Sequence, residues 1–155
     1  MCSSDLPYHL EDELCFAIYS AQKSYNKFYS EALRQFGLTY PQYITMLVLW
    51  EERRPMMIKE IGKRLNLDTG TLTPLLKRLE HNGWITRTRS GVDGRRVYLE
   101  LTPMAKEKEK SVKEAVSYSF RLIDMDSDEY TTSVGLLHRI AAKLDDLNNT
   151  LEDHK

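Results

Sequence analysis

Few residues in this chain are of a type that does covalent or metal chemistry. The thiols are Cys2 and Cys15, with no C-x-x-C spacing, so neither a disulfide scaffold nor a structural zinc site is expected. His9, His81, His138 and His154 are scattered without metal-ligand spacing and read as surface or interface residues. Cys15 stands on an apolar helix face, where a lone cysteine ordinarily packs as a small hydrophobe. As a thiolate it would instead be a nucleophile open to oxidation. The other chemistry on offer is electrostatic. Residues 53–96 hold eleven Lys and Arg against four acids, a net +7, while the rest of the chain carries −8. A basic middle between acidic ends suits a polyanion-binding surface; the alternative is a solvated charged face.

The elements that position these groups can be read from periodicity. Leu14, Ile18, Ala21, Tyr25, Phe28 and Ala32 make one apolar stripe on a long helix from about Leu10 to Phe36. Gly37 is its stop. Thr39 and Gln42 form a capping box, with Pro41 in the first turn of a second helix through Ile44, Leu47, Val48 and Trp50. Ile58, Ile61 and Leu65 fit a helix of about two turns, and residues 66–68 make a tight turn ending in Asp68 as a cap. The next helix buries Leu72, Leu75, Leu76 and Leu79 and ends at Asn82 and Gly83. Residues 84–88 and Val97–Leu101 have strand composition, joined by a polar, glycine-containing tip over 89–96, which predicts a β-hairpin. Thr102 and Pro103 read as cap and first residue of a charged helix to about Leu122. Ser127 is expected to cap a last helix striped by Val134, Leu137, Ile140, Ala141, Leu144, Leu147 and Leu151.

The 155 residues suffice for one domain with a core, and 41% hydrophobic with 29% charged residues is an ordinary globular balance. No apolar run approaches the ~20 residues that span a bilayer, and residues 1–7 lack the pattern of a secretory signal. A cytoplasmic address, with no membrane partner, no cofactor and no metal, is expected.

Two short helices joined by a tight turn, then a β-hairpin, form a winged helix-turn-helix pattern. The second short helix must be slim and polar outside to enter a major groove about 12 Å wide. Its outward residues would be Asp68, Thr69, Thr71, Thr73, Lys77 and Arg78, hydroxyls for base edges and cations for phosphates. Arg87 and Arg96 of the hairpin add basic contacts. The alternative is an amphipathic core helix, which the flanking basic hairpin disfavours.

Residues 67–80, then Asp93 and Arg95, then Leu99–Thr102, resemble the recognition helix and wing of the MarR family, and the likeness runs from about Leu14 to Pro103. The resemblance implies a mainly α fold with a small β-hairpin wing (α+β), built as a dimer. It implies a single domain over 1–155, with dimerisation helices over 8–37 and 102–152 and a winged helix-turn-helix over 39–101. It also implies that Arg95 enters the minor groove, held by Asp93. A narrow minor groove concentrates negative potential and favours such an arginine.

Residues 14–19 with Tyr29 and residues 39–43 resemble the organic-hydroperoxide-sensing OhrR and MgrA group of that family. There one cysteine on the first helix is oxidised and two tyrosines contact it; Cys15, Tyr19 and Tyr29 match. Tyr29 lies 14 residues beyond Cys15, about 21 Å along a straight helix at ~1.5 Å per residue, so it would reach the thiol only from a second subunit. The expected function is therefore a homodimeric repressor on a pseudo-palindromic DNA operator, released when organic hydroperoxide and then a low-molecular-weight thiol modify Cys15. The alternatives are control by a small phenolic ligand, or a broader virulence or antibiotic-resistance regulator, with Cys15 structural. A thiol peroxidase finds no support, since no thioredoxin-like βαβ pattern accompanies Cys15.

Overall fold

The computed structural model describes residues 9–90 and 94–152. The chain divides into two compact units, Met1–Ser117 and Tyr118–Lys155.

In the first unit a 3-10 turn, Leu10–Asp12, precedes α1, Leu14–Leu33. The helix therefore starts at Leu14, the first residue of its apolar stripe and four residues later than expected, because Glu13 is extended and no side chain caps the earlier turn. A second 3-10 turn, Arg34–Phe36, ends at Gly37, whose φ of 64° is the left-handed conformation that stops the helix. Thr39 then begins α2, Tyr40–Glu52, with the expected capping box complete. The Gln42 side chain accepts the Thr39 N–H at 3.0 Å, and the Thr39 hydroxyl accepts the Gln42 N–H at 3.4 Å. Seven of the thirteen residues of α2 are buried, with Met46, Leu49 and Trp50 at its centre.

After Pro55 the chain forms a strand that periodicity does not reveal, β1, Met56–Met57. Two residues are too few to display an alternation. It pairs antiparallel with β3, Val97–Leu101, whose other edge carries β2, Ile85–Arg89. The expected two-stranded hairpin is thus a three-stranded sheet in the order β1-β3-β2. Met56, Ile85 and Leu99 seal one side of it against the core.

Between β1 and β2 lie α3, Ile58–Leu65, and α4, Thr69–His81. The Glu60 carboxylate reaches back to the Met57 N–H at 2.7 Å to close the first turn of α3. Leu72, Leu76 and Leu79 face inward from α4 with no exposed surface. The connection between the helices folds back on Gly62. Asn66 is left-handed at φ 53°, and the Leu67 N–H reaches the Gly62 carbonyl at 2.9 Å. Beyond β3, α5, Pro103–Phe120, is capped as expected: the Thr102 hydroxyl accepts the Ala105 N–H at 3.1 Å and itself donates to the Gly83 carbonyl at 2.6 Å. The Trp50 indole donates to the Ala105 carbonyl at 3.1 Å, fastening α5 to α2.

The second unit holds the end of α5, a 3-10 turn Arg121–Ile123, and α6, Ser127–Glu152. Ser127 is not the cap expected of it. It is the first helical residue, and the Asp126 carboxylate accepts the Glu129 N–H at 2.8 Å instead. A carboxylate one residue earlier does the same work with the additional favour of the helix dipole.

A side chain at Gly62 would clash with the turn it supports: a Cβ there lies 2.7 Å from the Leu67 carbonyl oxygen and 3.2 Å from Leu72 Cδ1. Gly62→Ala is expected to destabilise the fold by about 1–3 kcal/mol through this overpacking, read as a lower urea midpoint at unchanged slope.

Candidate nucleic-acid interface and thiol site

The outer face of α4 is set by its start. The Asp68 carboxylate accepts the Thr71 N–H at 2.6 Å. That bond, then the Thr71 hydroxyl and the Gly70 N–H, holds the Asp68 carboxyl below the ordinary aspartate range. Asp68 therefore acts as the helix cap, with its charge spent on backbone donors. Thr69 and Thr71 are exposed beside it. Thr73 is half-buried and donates its hydroxyl proton to the Thr69 carbonyl at 2.7 Å. Lys77 and Arg78 are exposed one turn further on.

The end of α4 is equally defined. Gly83 is left-handed at φ 79°, and the Trp84 N–H reaches the Leu79 carbonyl at 2.9 Å, so the chain turns directly into β2. At the far end of the hairpin the Ser90 N–H donates to the Arg96 carbonyl at 3.0 Å, and Gly94 is left-handed at φ 58°. Arg95 and Arg96 are exposed there. Asp93, expected to hold Arg95, lies outside the described residues.

Ion pairing sorts the basic segment. Arg64 bridges Glu51 and Glu52 of α2, each at 2.7 Å. Arg54 meets Glu60 at 3.0 Å and Glu52 at 3.3 Å, and Arg53 meets Glu109 at 3.5 Å. Arg87 is placed unlike a DNA contact: its Nε donates to Glu80 of α4 at 2.8 Å. The cations of residues 53–96 with no carboxylate partner among the described residues are Lys59, Lys63, Lys77, Arg78, Arg89, Arg95 and Arg96. Arg89 is a candidate that the sequence reading omits; its position at the exposed end of β2 is the signal that identifies it.

The thiol lies elsewhere. Cys15 is exposed on the first turn of α1, and Tyr19, one turn on, is 63% exposed. Tyr29 sits toward the other end of the same continuous helix, its ring 4.5 Å from Tyr40 and 5.7 Å from Tyr43, with Tyr25 and Phe28 alongside. Within the chain Cys15 and Tyr19 are neighbours and Tyr29 belongs to a separate aromatic cluster. Tyr40 and Tyr43, which flank the capping box, enter that cluster without having been singled out as site residues.

Residues 27–116 match the family model of the SarA/Rot transcriptional regulators. The chain belongs to this family. It is 36% identical over 138 residues to the HTH-type transcriptional regulator MgrA of Staphylococcus aureus, covering 88% of this chain and 90% of MgrA. It is 51% identical over 98 residues to the HTH-type transcriptional regulator TtmR of Methylorubrum extorquens, of whose length it spans about half, 50%. Among solved structures, reduced AbfR bound to DNA superposes with a TM-score of 0.78 at 36% identity, over 89% of this chain and 94% of that one. AbfR, from Staphylococcus epidermidis, is also known overoxidized on DNA (TM-score 0.73, 37% identity, 87% and 94% covered) and with a disulfide formed (0.65, 37%, 89% and 91%). MarR, at 24% identity and a TM-score of 0.68 over 85% and 98% of the two chains, shares the winged-helix fold. The protein is thus a DNA-binding transcriptional regulator of MgrA and SarA type, not an enzyme. Among the described residues no helix is long and apolar enough to cross a membrane.

The Asp68 cap gives a signed pH dependence. Its folded carboxyl pKa is depressed, so its contribution is complete above the unfolded value of ~3.9 and is lost as pH falls through the lower folded value. Asp68→Asn, which still caps, should flatten that acidic limb in thermal melts from pH 5 downward, and Asp68→Ala should lower the melting temperature at neutral pH as well.

Proposed function

We propose that the protein is a homodimeric repressor that leaves a pseudo-palindromic operator when organic hydroperoxide oxidises Cys15. The observation that carries this reading is the likeness to AbfR, a regulator captured on DNA both reduced and overoxidized, and also with a disulfide formed. On DNA, α4 would lie in the major groove with Thr69, Thr71 and Thr73 toward base edges and Lys77 and Arg78 on phosphates. Arg95, braced by Asp93, would enter the minor groove, with Arg96 beside it.

A second copy of the chain is supported by uncovered apolar faces. No residue of α6 is buried, and Leu137, Leu144, Leu147 and Leu151 stand about half exposed along it. On α1, Leu14 is 55% exposed and only Leu33 is buried. Such stripes mark an interface, so α1 with α5 and α6 are assigned to dimerisation and residues 39–101 to DNA. A partner α1 running alongside would bring Tyr29 of one protomer to Cys15 of the other. A phenol donating to the sulfur favours the thiolate.

The chemistry balances without a metal or cofactor. The Cys15 thiolate attacks the peroxide, the O–O bond breaks, the alcohol leaves, and sulfur gains one oxygen as a sulfenic acid. No cysteine follows Cys15 in the sequence, so a disulfide to a C-terminal cysteine is closed. A low-molecular-weight thiol then displaces water to give a mixed disulfide. That bulk, unlike one oxygen, does not fit a packed interface.

Arg95→Ala should weaken operator binding by about 1–3 kcal/mol and reduce the salt slope slightly; fluorescence anisotropy at several salt concentrations reads both, and unchanged affinity removes Arg95 from the interface. Cys15→Ser should bind the operator normally but no longer release it with cumene hydroperoxide. In wild type, peroxide alone should release DNA weakly, and adding a small thiol should make release complete and reversible by reductant. Gel shifts with parallel intact-mass measurement test this. Release of the Ser variant on oxidation, or release by salicylate with no change in mass, would sink the redox switch.

A further inference from the structure

Arg87 belongs to the basic segment, yet its surroundings are those of a strut. Alternation along β2 puts it on the same side as Ile85, and its register partner on β3 is Leu99; both are buried. On that side the guanidinium meets the last turn of α4, where Nε donates to Glu80 at 2.8 Å. Its Nη2 has essentially no accessible surface and no hydrogen-bond partner among the described residues. A nitrogen covered in this way has no path to a phosphate outside. The Arg87 side chain is 26% exposed, against 40% for Glu80, so the pair is better shielded on the arginine side.

The place of the pair explains its use. The chain passes from α4 into β2 through one left-handed residue, Gly83. The Glu80–Arg87 pair spans that turn, three residues before it and four after. We propose that Arg87 is a positioning residue that, with Glu80, sets the angle between α4 and the wing and makes no DNA contact of its own. Simultaneous entry into two grooves depends on that angle, because a helix and an arginine-bearing tip must reach them together. This inference rests on the reading of α4 and the wing as the DNA-contacting elements.

Glu80→Gln gives a test in which the two roles have opposite signs. Removing a carboxylate from the end of a DNA-facing helix reduces repulsion, so electrostatics alone makes operator binding tighter. Loss of the strut makes it weaker. Binding is followed by fluorescence anisotropy, with the operator and with an unrelated duplex, across a salt series. Glu80→Gln and Arg87→Gln are each expected to weaken operator binding roughly fivefold, the size of a well-placed ion pair. Neither should weaken binding to the unrelated duplex, and the double variant should be no worse than either single one. The salt slope for Arg87→Gln should match wild type, whereas loss of a phosphate contact would lower it by about one. Unchanged or tighter operator binding by Glu80→Gln, or a slope lowered by about one in Arg87→Gln, overturns the proposal. Arg95→Ala measured in parallel separates the failures. If it weakens operator binding while Glu80→Gln does not, the positioning role falls alone; if it too has no effect, the interface reading falls with it.

Discussion

The proposed DNA-reading face of α4 depends on three leucines. Leu72, Leu76 and Leu79 are at 0% exposure, and burying side chains of that size contributes about 1.5–3 kcal/mol each. No exposed ion pair in the segment competes with that, since such pairs contribute about 0.2–1 kcal/mol. The leucines make α4 dock. Because they occupy one face only, the opposite face, Thr69, Thr71, Lys77 and Arg78, is left for solvent or a groove. Docking by an apolar stripe does not, however, fix where a helix starts, ends or points. Those are set by smaller, directional contacts: the Asp68 cap, the close approach at Gly62, the Thr102 hydroxyl on the Gly83 carbonyl, and the Glu80–Arg87 pair. Energy comes from the stripe and aim comes from the polar fittings.

The same division explains why charge composition is only a partial guide. The +7 of residues 53–96 counts Arg53, Arg54, Arg64 and Arg87 as if they faced outward. In the fold each is held by a carboxylate, those of Arg64 on the neighbouring α2 and that of Arg53 on α5. Most of these carboxylates lie outside the basic segment, so no count within it could reveal the pairing. What remains is smaller and better placed: Lys77 and Arg78 on α4, Arg89, Arg95 and Arg96 on the hairpin, and Lys59 and Lys63 on α3.

Much of this was legible in the residues. The capping box at Thr39 and Gln42, the cap at Asp68, the stops at Gly37 and Gly83 and the cap at Thr102 are local patterns, and each appears where expected. Patterns that depend on partners distant in sequence were not legible. β1 exists because Met56 and Met57 pair with Leu99 and Tyr98, and a two-residue strand carries no period. The role of Arg87 depends on Glu80 and on which side of β2 faces the core. At the start of α6 two candidate caps, Asp126 and Ser127, stand side by side, and propensity alone does not choose between them; the Glu129 N–H turns to the carboxylate.

The thiol poses the remaining geometric constraint. Cys15 and Tyr29 share one uninterrupted helix, Leu14–Leu33, and 14 residues at ~1.5 Å each keep them about 21 Å apart. Tyr29 is moreover already packed against Tyr40 and Tyr43. For the Tyr29 phenol to act on the sulfur, it must therefore arrive from another molecule, on an element laid antiparallel to α1. The exposed apolar residues of α1 and α6 are the kind of surface that such an arrival would cover. On the proposed dimer, sensing and spacing then become one problem. The residues that would surround the oxidised sulfur belong to the interface that would set the distance between two α4 helices, and the two half-sites of an operator are a fixed helical turn apart. A bulky adduct at Cys15 then need not reach the DNA surface at all. It has only to prevent two copies of α1 from lying side by side.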